Sequence, residues 1–199
     1  AVKGVDMKEA FPRMTWTQAM DIYGSDKPDI RFGLPITDVT DITARSSFAV
    51  FAQAAKKGGV VRAVNVKGGA CFSKTEIEHL TQRAISYGAK GMAWILLRED
   101  GTINSILPKY FSDGVWRELM RAMDAQAGDF ILFCADTLPV VCRTLGGLRL
   151  ELGDMLGGGN AQERTAKATE ESVKQQKETN KHLKKLETGS SSGTTTYGD

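Results

Sequence analysis

The spacing of apolar residues changes repeatedly along the chain, and each change announces an element. In "FPRMTWTQAMDIYGSDKPDIRFGL", from Phe11 to Leu34, Thr15 and Gln18 form a capping box and Trp16, Ala19 and Met20 make one apolar stripe. Gly24 and Pro28 end this helix, glycine by tolerating a left-handed turn and proline by pushing its predecessor out of the helical region. A single short helix has no core of its own, so it either packs on the rest of the chain or belongs to a larger body. The β-branched run between the glycine pairs of "GGVVRAVNVKGG" predicts a strand over 60–66. A second capping box, Ser73 with Glu76, starts a helix whose apolar face is Ile77, Leu80, Ala84 and Ile85, with Gly88 placed for a left-handed cap.

Beyond it, "MAWILLREDGTINSIL" predicts a strand over 92–98, a turn at Asp100 and Gly101, and a returning strand over 102–107 through Ile103 and Ile106. Val115, Trp116, Leu119, Met120 and Met123 mark a third helix, begun by Ser112 or Asp113. The continuously apolar "GDFILFCAD" reads as a central strand over 129–135. From Leu138 the apolar residues Val141, Leu145, Leu148, Leu152 and Met155 fall at alternating steps of three and four, a long amphipathic helix with Pro139 in its tolerant first turn. Gly146 and Gly147 inside it cost roughly 1 kcal/mol each relative to alanine. Close packing against the sheet is the expected reason. After Gly157 the pattern dissolves into polar sequence, where Ala161 to Glu187 has Val173, Leu183 and Leu186 as its only large apolar residues and "TGSSSGTTTYGD" follows, a tail or linker that cannot bury a face of its own.

Composition narrows the function classes. At 199 residues and 41% apolar content the chain suits one domain, or one domain plus an appendage. Net charge is +2, and residues 1–156 hold nineteen basic against eighteen acidic side chains, so bulk electrostatics do not argue for a nucleic-acid binder. No stretch nears the roughly eighteen apolar residues of a membrane span, no signal peptide is apparent, and a cytoplasmic location is expected. Cys71, Cys134 and Cys142 lack metal-ligand spacing, and Cys134 and Cys142 read as buried, inert thiols; His79 and His182 build no catalytic constellation. "GGGNAQER" is followed by polar tail rather than a buried helix, so it reads as linker and not as a phosphate loop. "LLRED" runs straight into a turn and reads as a hairpin end.

The opening segment, with "GGVVRAVNVKGGACFSKTEIEHLTQRAISYGAKGMAWI", "KYFSDGVWREL", "GDFILFCAD" and "VVCRTLGGLRLELG", closely resembles bacterial-type aspartyl-tRNA synthetases where the class II core gives way to the large insertion known as the GAD domain. The resemblance is collinear from Val2 to Leu156, and the strings from Tyr23 to Gly33, "GAKGMAWI" and "LGGLRLELG" are its specific parts. It implies a parent that activates aspartate with ATP and Mg and transfers it to tRNA. The family's ATP-binding arginine motifs have no match here, since "GGGNAQER" carries Ala161 where a glycine belongs and comes too early. The expected reading is therefore a fragment: 1–34 an edge of the synthetase core, 35–156 the insertion domain, 157–199 a polar tail.

The expected fold is α+β, a two-layer sandwich of an antiparallel-rich sheet with helices packed on one face. No catalytic, cofactor-binding or metal-binding residue is carried over, no cofactor is expected for this chain, and it should be inactive alone. Its expected partners are the remainder of the synthetase core and, weakly if at all, tRNA(Asp), with no membrane and a monomer in isolation. Arg62, Lys67, Lys74 and Arg83 are the candidate weak tRNA contacts, although a solvated surface is the plainer reading of these cations. Two alternatives stay open: a stand-alone interaction module acting through its tail, and an appendage of a glutamyl-tRNA(Gln) amidotransferase, whose subunits lack the Phe11 to Gly33 lead-in.

Overall fold

The computed structural model describes residues 13–157. The expectations for 1–12 and for the polar sequence from 158 onward lie outside the described residues. Thr15 and Gln18 do cap helix α1 (Trp16–Tyr23), which ends at a left-handed Gly24. Ser73 and Glu76 likewise cap α4 (Lys74–Ser86), and Gly88 follows it at positive φ. Helix α5 spans Asp113–Ala122 with Ser112 as its cap residue, and α6 spans Leu138–Gly157.

Between α1 and the first expected strand the chain makes three elements that periodicity did not announce: β1 (Ile36–Asp38), α2 (Thr40–Thr43) and α3 (Ala49–Lys56). The first two are too short to show a period, and in the alanine-rich α3 small apolar residues blur the face that Gln53 and Lys56 make polar. Strands β2 (Val60–Val66), β3 (Ala93–Leu97), β4 (Ile103–Asn104) and β5 (Phe130–Asp136) complete a five-stranded sheet in the order β1-β2-β5-β3-β4, every pairing antiparallel. The returning strand is shorter than expected. Ser105 leaves the ladder to donate its hydroxyl to the Trp94 carbonyl at 2.7 Å, and Ile106 stands exposed before a short 3-10 turn over Leu107–Tyr110.

The α+β class with an antiparallel sheet is as expected, but helices cover both faces of that sheet rather than one. The reason lies in β2 and β5, which are apolar on both sides. Val61, Ala63, Ile131 and Phe133 pack with Phe51 of α3 and Val115 and Leu119 of α5 in one core. On the opposite face lie Val64, Val66, Phe130 and Leu132, all fully buried, with α4 and α6 as their cover. Phe72, just before α4, meets Phe130 edge-on at 5.4 Å, and Cys142 of α6 lies 3.9 Å from the Arg62 guanidinium on β2. Cys134 and Cys142 are buried as expected, and burial pushes the Cys134 thiol up to about 12.

Candidate functional site

The lead-in, residues 13–35, consists of α1 and a stretch over 24–35 without helix or strand, and it is tied down from one side by α6 and β2. On α6, Arg149 falls four residues after Leu145 and one after Leu148, inside the apolar stripe. It is 2% exposed. Its guanidinium donates to three backbone carbonyls: Nε to Leu34, Nη1 to Tyr23 at 3.2 Å and Nη2 to Asp29 at 3.3 Å. The same group lies over the Tyr23 ring, 4.6 Å from its centroid. Burial lowers its pKa, while nearby Tyr23 and Asp29 work the other way. An arginine remains charged regardless.

Two glycines of α6 let the lead-in come close. A Cβ on Gly146 would lie 2.6 Å from the Gly24 carbonyl oxygen, and one on Gly153 would meet the Phe32 ring. Gly147 instead faces the Tyr87 ring at the end of α4. Close packing is thus the reason for the glycine pair, with α1 and α4 as its partners rather than the sheet.

From β2, Arg62 adds a second tie. It donates to the Asp21 carbonyl at 3.2 Å and to its carboxylate at 3.1 Å, and its Nε faces Asp38 Oδ2 at 3.4 Å, an ion-pair distance without hydrogen-bond alignment. Within the loop, Arg31 grips Asp29 through two side-chain nitrogens and its own backbone N–H, holding the carboxyl down at about 2.

The outward side of the lead-in mixes polar residues with large apolar ones. Met14, Trp16, Ile22 and Ile30 are 43%, 67%, 36% and 53% exposed, so four of the ten large exposed apolar side chains among the described residues fall in this one segment. The stripe expected behind the capping box is thereby split: Ala19 is buried and Trp16 faces outward.

The four candidate cations do not share partners. Arg62 is buried in the tie just described. Lys67 pairs with Asp124 at 3.0 Å and Asp129 at 3.3 Å, Lys74 with Glu78 at 3.7 Å, and Arg83 with Glu151 at 2.5 Å. Sequence reasoning weighed these cations and passed over Arg149, whose signal was a charge set within an apolar helical face. A cleft of about 470 Å³ between α3 and the turn before β3 has an apolar floor of Phe51 and Phe133 and a Lys90–Asp136 pair 3.2 Å apart at its rim. No group of three metal-ligating side chains is found among the described residues, and none of their helices is long and apolar enough to cross a membrane.

Comparison with known proteins gives this geometry a family. The GAD domain family matches residues 51–145. The aspartate–tRNA(Asp/Asn) ligase of Persephonella marina is 43% identical over 155 residues, covering 78% of this chain and 26% of that protein. The aspartate–tRNA ligase of Geobacillus kaustophilus is 48% identical over 158 residues, 79% of this chain and 27% of that protein. The aspartate–tRNA(Asp/Asn) ligase of Bacillus subtilis is 46% identical over 156 residues, 78% of this chain and 26% of that protein. The chain thus spans about a quarter of the length of these relatives. By this family match and these identities, it carries the GAD domain of the bacterial aspartate–tRNA ligase family.

Proposed function

We propose that the chain acts as a non-catalytic domain of an aspartate–tRNA ligase, joined to the rest of the enzyme through its lead-in. The observation that carries this reading is the two-sided lead-in. Its inner side is fastened to the GAD domain by Arg149, Arg62 and Gly146, while its outer side presents Met14, Trp16, Ile22 and Ile30 to solvent. Exposed apolar side chains gathered in one segment mark a contact surface, and relatives about three times as long as this chain supply a body to contact. In this role the domain braces the core or helps to position the tRNA acceptor arm, with Lys67, Lys74 and Arg83 as the accessible basic side chains for phosphate. ATP and Mg belong to the parent's chemistry.

Aspartate-dependent ATP–pyrophosphate exchange tests the non-catalytic half of the proposal. Activation of a carboxylate by a triphosphate needs positioned cations around the developing charge, and the family's two ATP-binding arginine motifs have no counterpart in this sequence. The purified chain is expected to give no exchange above a heat-killed control. Exchange above that control would overturn the reading.

A further inference from the structure

We infer that Arg149 is a latch: a positioning residue that fixes the direction in which the lead-in leaves the domain, and that can be released without unfolding the sheet. The inference rests on the reading of the lead-in as the junction with a larger enzyme, and it names the side chain that holds this junction. Three features carry it. First, the three acceptors run from Tyr23, the last residue of α1, to Asp29 and Leu34 in the irregular stretch that follows, so one side chain stitches to the helix end a loop that has no ladder of its own. Second, all three are carbonyls. The nearest carboxylate of the loop, Asp29, is committed to Arg31, so Arg149 holds the backbone itself rather than a side chain that could swing away. Third, Tyr23 and Asp29 are only half-buried, so two of the three carbonyls can turn to water if the guanidinium is lost, while Leu34 stays buried. A residue deep in the sheet core offers its partners no such escape. Loss of Arg149 should therefore open the lead-in locally.

The planar guanidinium fork is what allows one cation to reach three separated acceptors. An ammonium group at the same place has no such fork. This sets the test, made on the whole 199-residue chain with Arg149→Met and Arg149→Lys, by hydrogen exchange and limited tryptic digestion. In both variants the amides of Ala19, Gly24 and Arg31 should exchange at least about ten-fold faster than in the parent, and trypsin should gain a cut after Arg31. The amides of β2 and β5 should keep their protection. Unchanged exchange in the lead-in would overturn the latch, since the segment would then be held by its other contacts. Loss of protection in β2 and β5 in step with the lead-in would also overturn it, as would failure of both variants to fold, because Arg149 would then be a core residue. Wild-type behaviour of Arg149→Lys would show that charge rather than the fork holds the loop, and would overturn it too. None of these outcomes bears on catalysis, so the proposed domain role stands or falls separately.

Discussion

Asp129 shows how far a single buried carboxylate can be turned by its neighbours. It is 3% exposed, and burial by itself works to raise its pKa. Donors from Asn65 at 2.9 Å, the Gln126 backbone at 2.9 Å and the Gly68 backbone at 3.2 Å, with Lys67 beside them, outweigh burial and hold it below its ordinary range. A carboxyl whose folded pKa is depressed stabilises the fold fully above its unfolded value of about 3.9 and loses that contribution as pH falls through the folded one. Asp129→Asn keeps the shape but removes the charge that these donors face, and should cost about 2–3 kcal/mol at neutral pH. Urea unfolding at pH 7 and pH 3 checks this, with the difference between the two proteins shrinking at the lower pH. A difference that does not change with pH would show that charge is not what Asp129 contributes.

At the scale of elements, α6 carries the sharpest test. Replacing a mid-helix glycine by alanine normally gains about 1 kcal/mol of helix propensity. At Gly146 the new methyl would meet the Gly24 carbonyl, which belongs to another element's backbone and has no rotamer to move to. Overpacking of this kind costs about 1–3 kcal/mol, so Gly146→Ala should lower the thermal midpoint. A raised midpoint would mean that α1 does not sit on α6.

What the sequence made legible at this scale follows from signal length. Helices with four or more apolar positions, α4, α5 and α6, and the long strands β2 and β5 were all visible in the pattern. β1, α2 and α3 were not, because three or four residues carry no period and because Ala52, Ala54 and Ala55 blur a helical face. The second covered face of the sheet could have been read from β2, whose alternate residues are apolar on both sides apart from Arg62 and Asn65. The site was less legible than the fold. Trp16 looked like core and is the most exposed large apolar side chain among the described residues, since in a small helix the pattern cannot say which body an apolar residue faces. Arg149 looked like part of a string and is hydrogen-bonded to the lead-in, because only the fold brings Tyr23, Asp29 and Leu34 beside it.

For the molecule as a whole, charge sets the expected strength of any contact with tRNA. The chain's net charge is +2. Lys67, Lys74 and Arg83 each lie within ion-pair distance of a carboxylate that a phosphate would have to displace. Few counterions would be released on binding, and affinity should fall in the micromolar to hundred-micromolar range of about 10⁻⁶–10⁻⁴ M that non-specific contacts reach. A titration of the purified chain against tRNA(Asp) between low and physiological salt is expected to show weak binding that fades. Nanomolar, salt-resistant and tRNA(Asp)-selective binding would make the domain a recognition module in its own right.

The backbone contact between Gly24 and Gly146 has a consequence for how such a domain is inherited. Everything from β1 through β5 is strung between two points of the chain that touch. A host polypeptide whose own ends at that point are similarly close can acquire this body, or shed it for a short turn, without rearranging the elements on either side. The closure entropy of a loop grows only with the logarithm of its length, so the host is nearly indifferent to how many residues hang there. Such a graft needs a tight neck, and a pair of residues without side chains makes one.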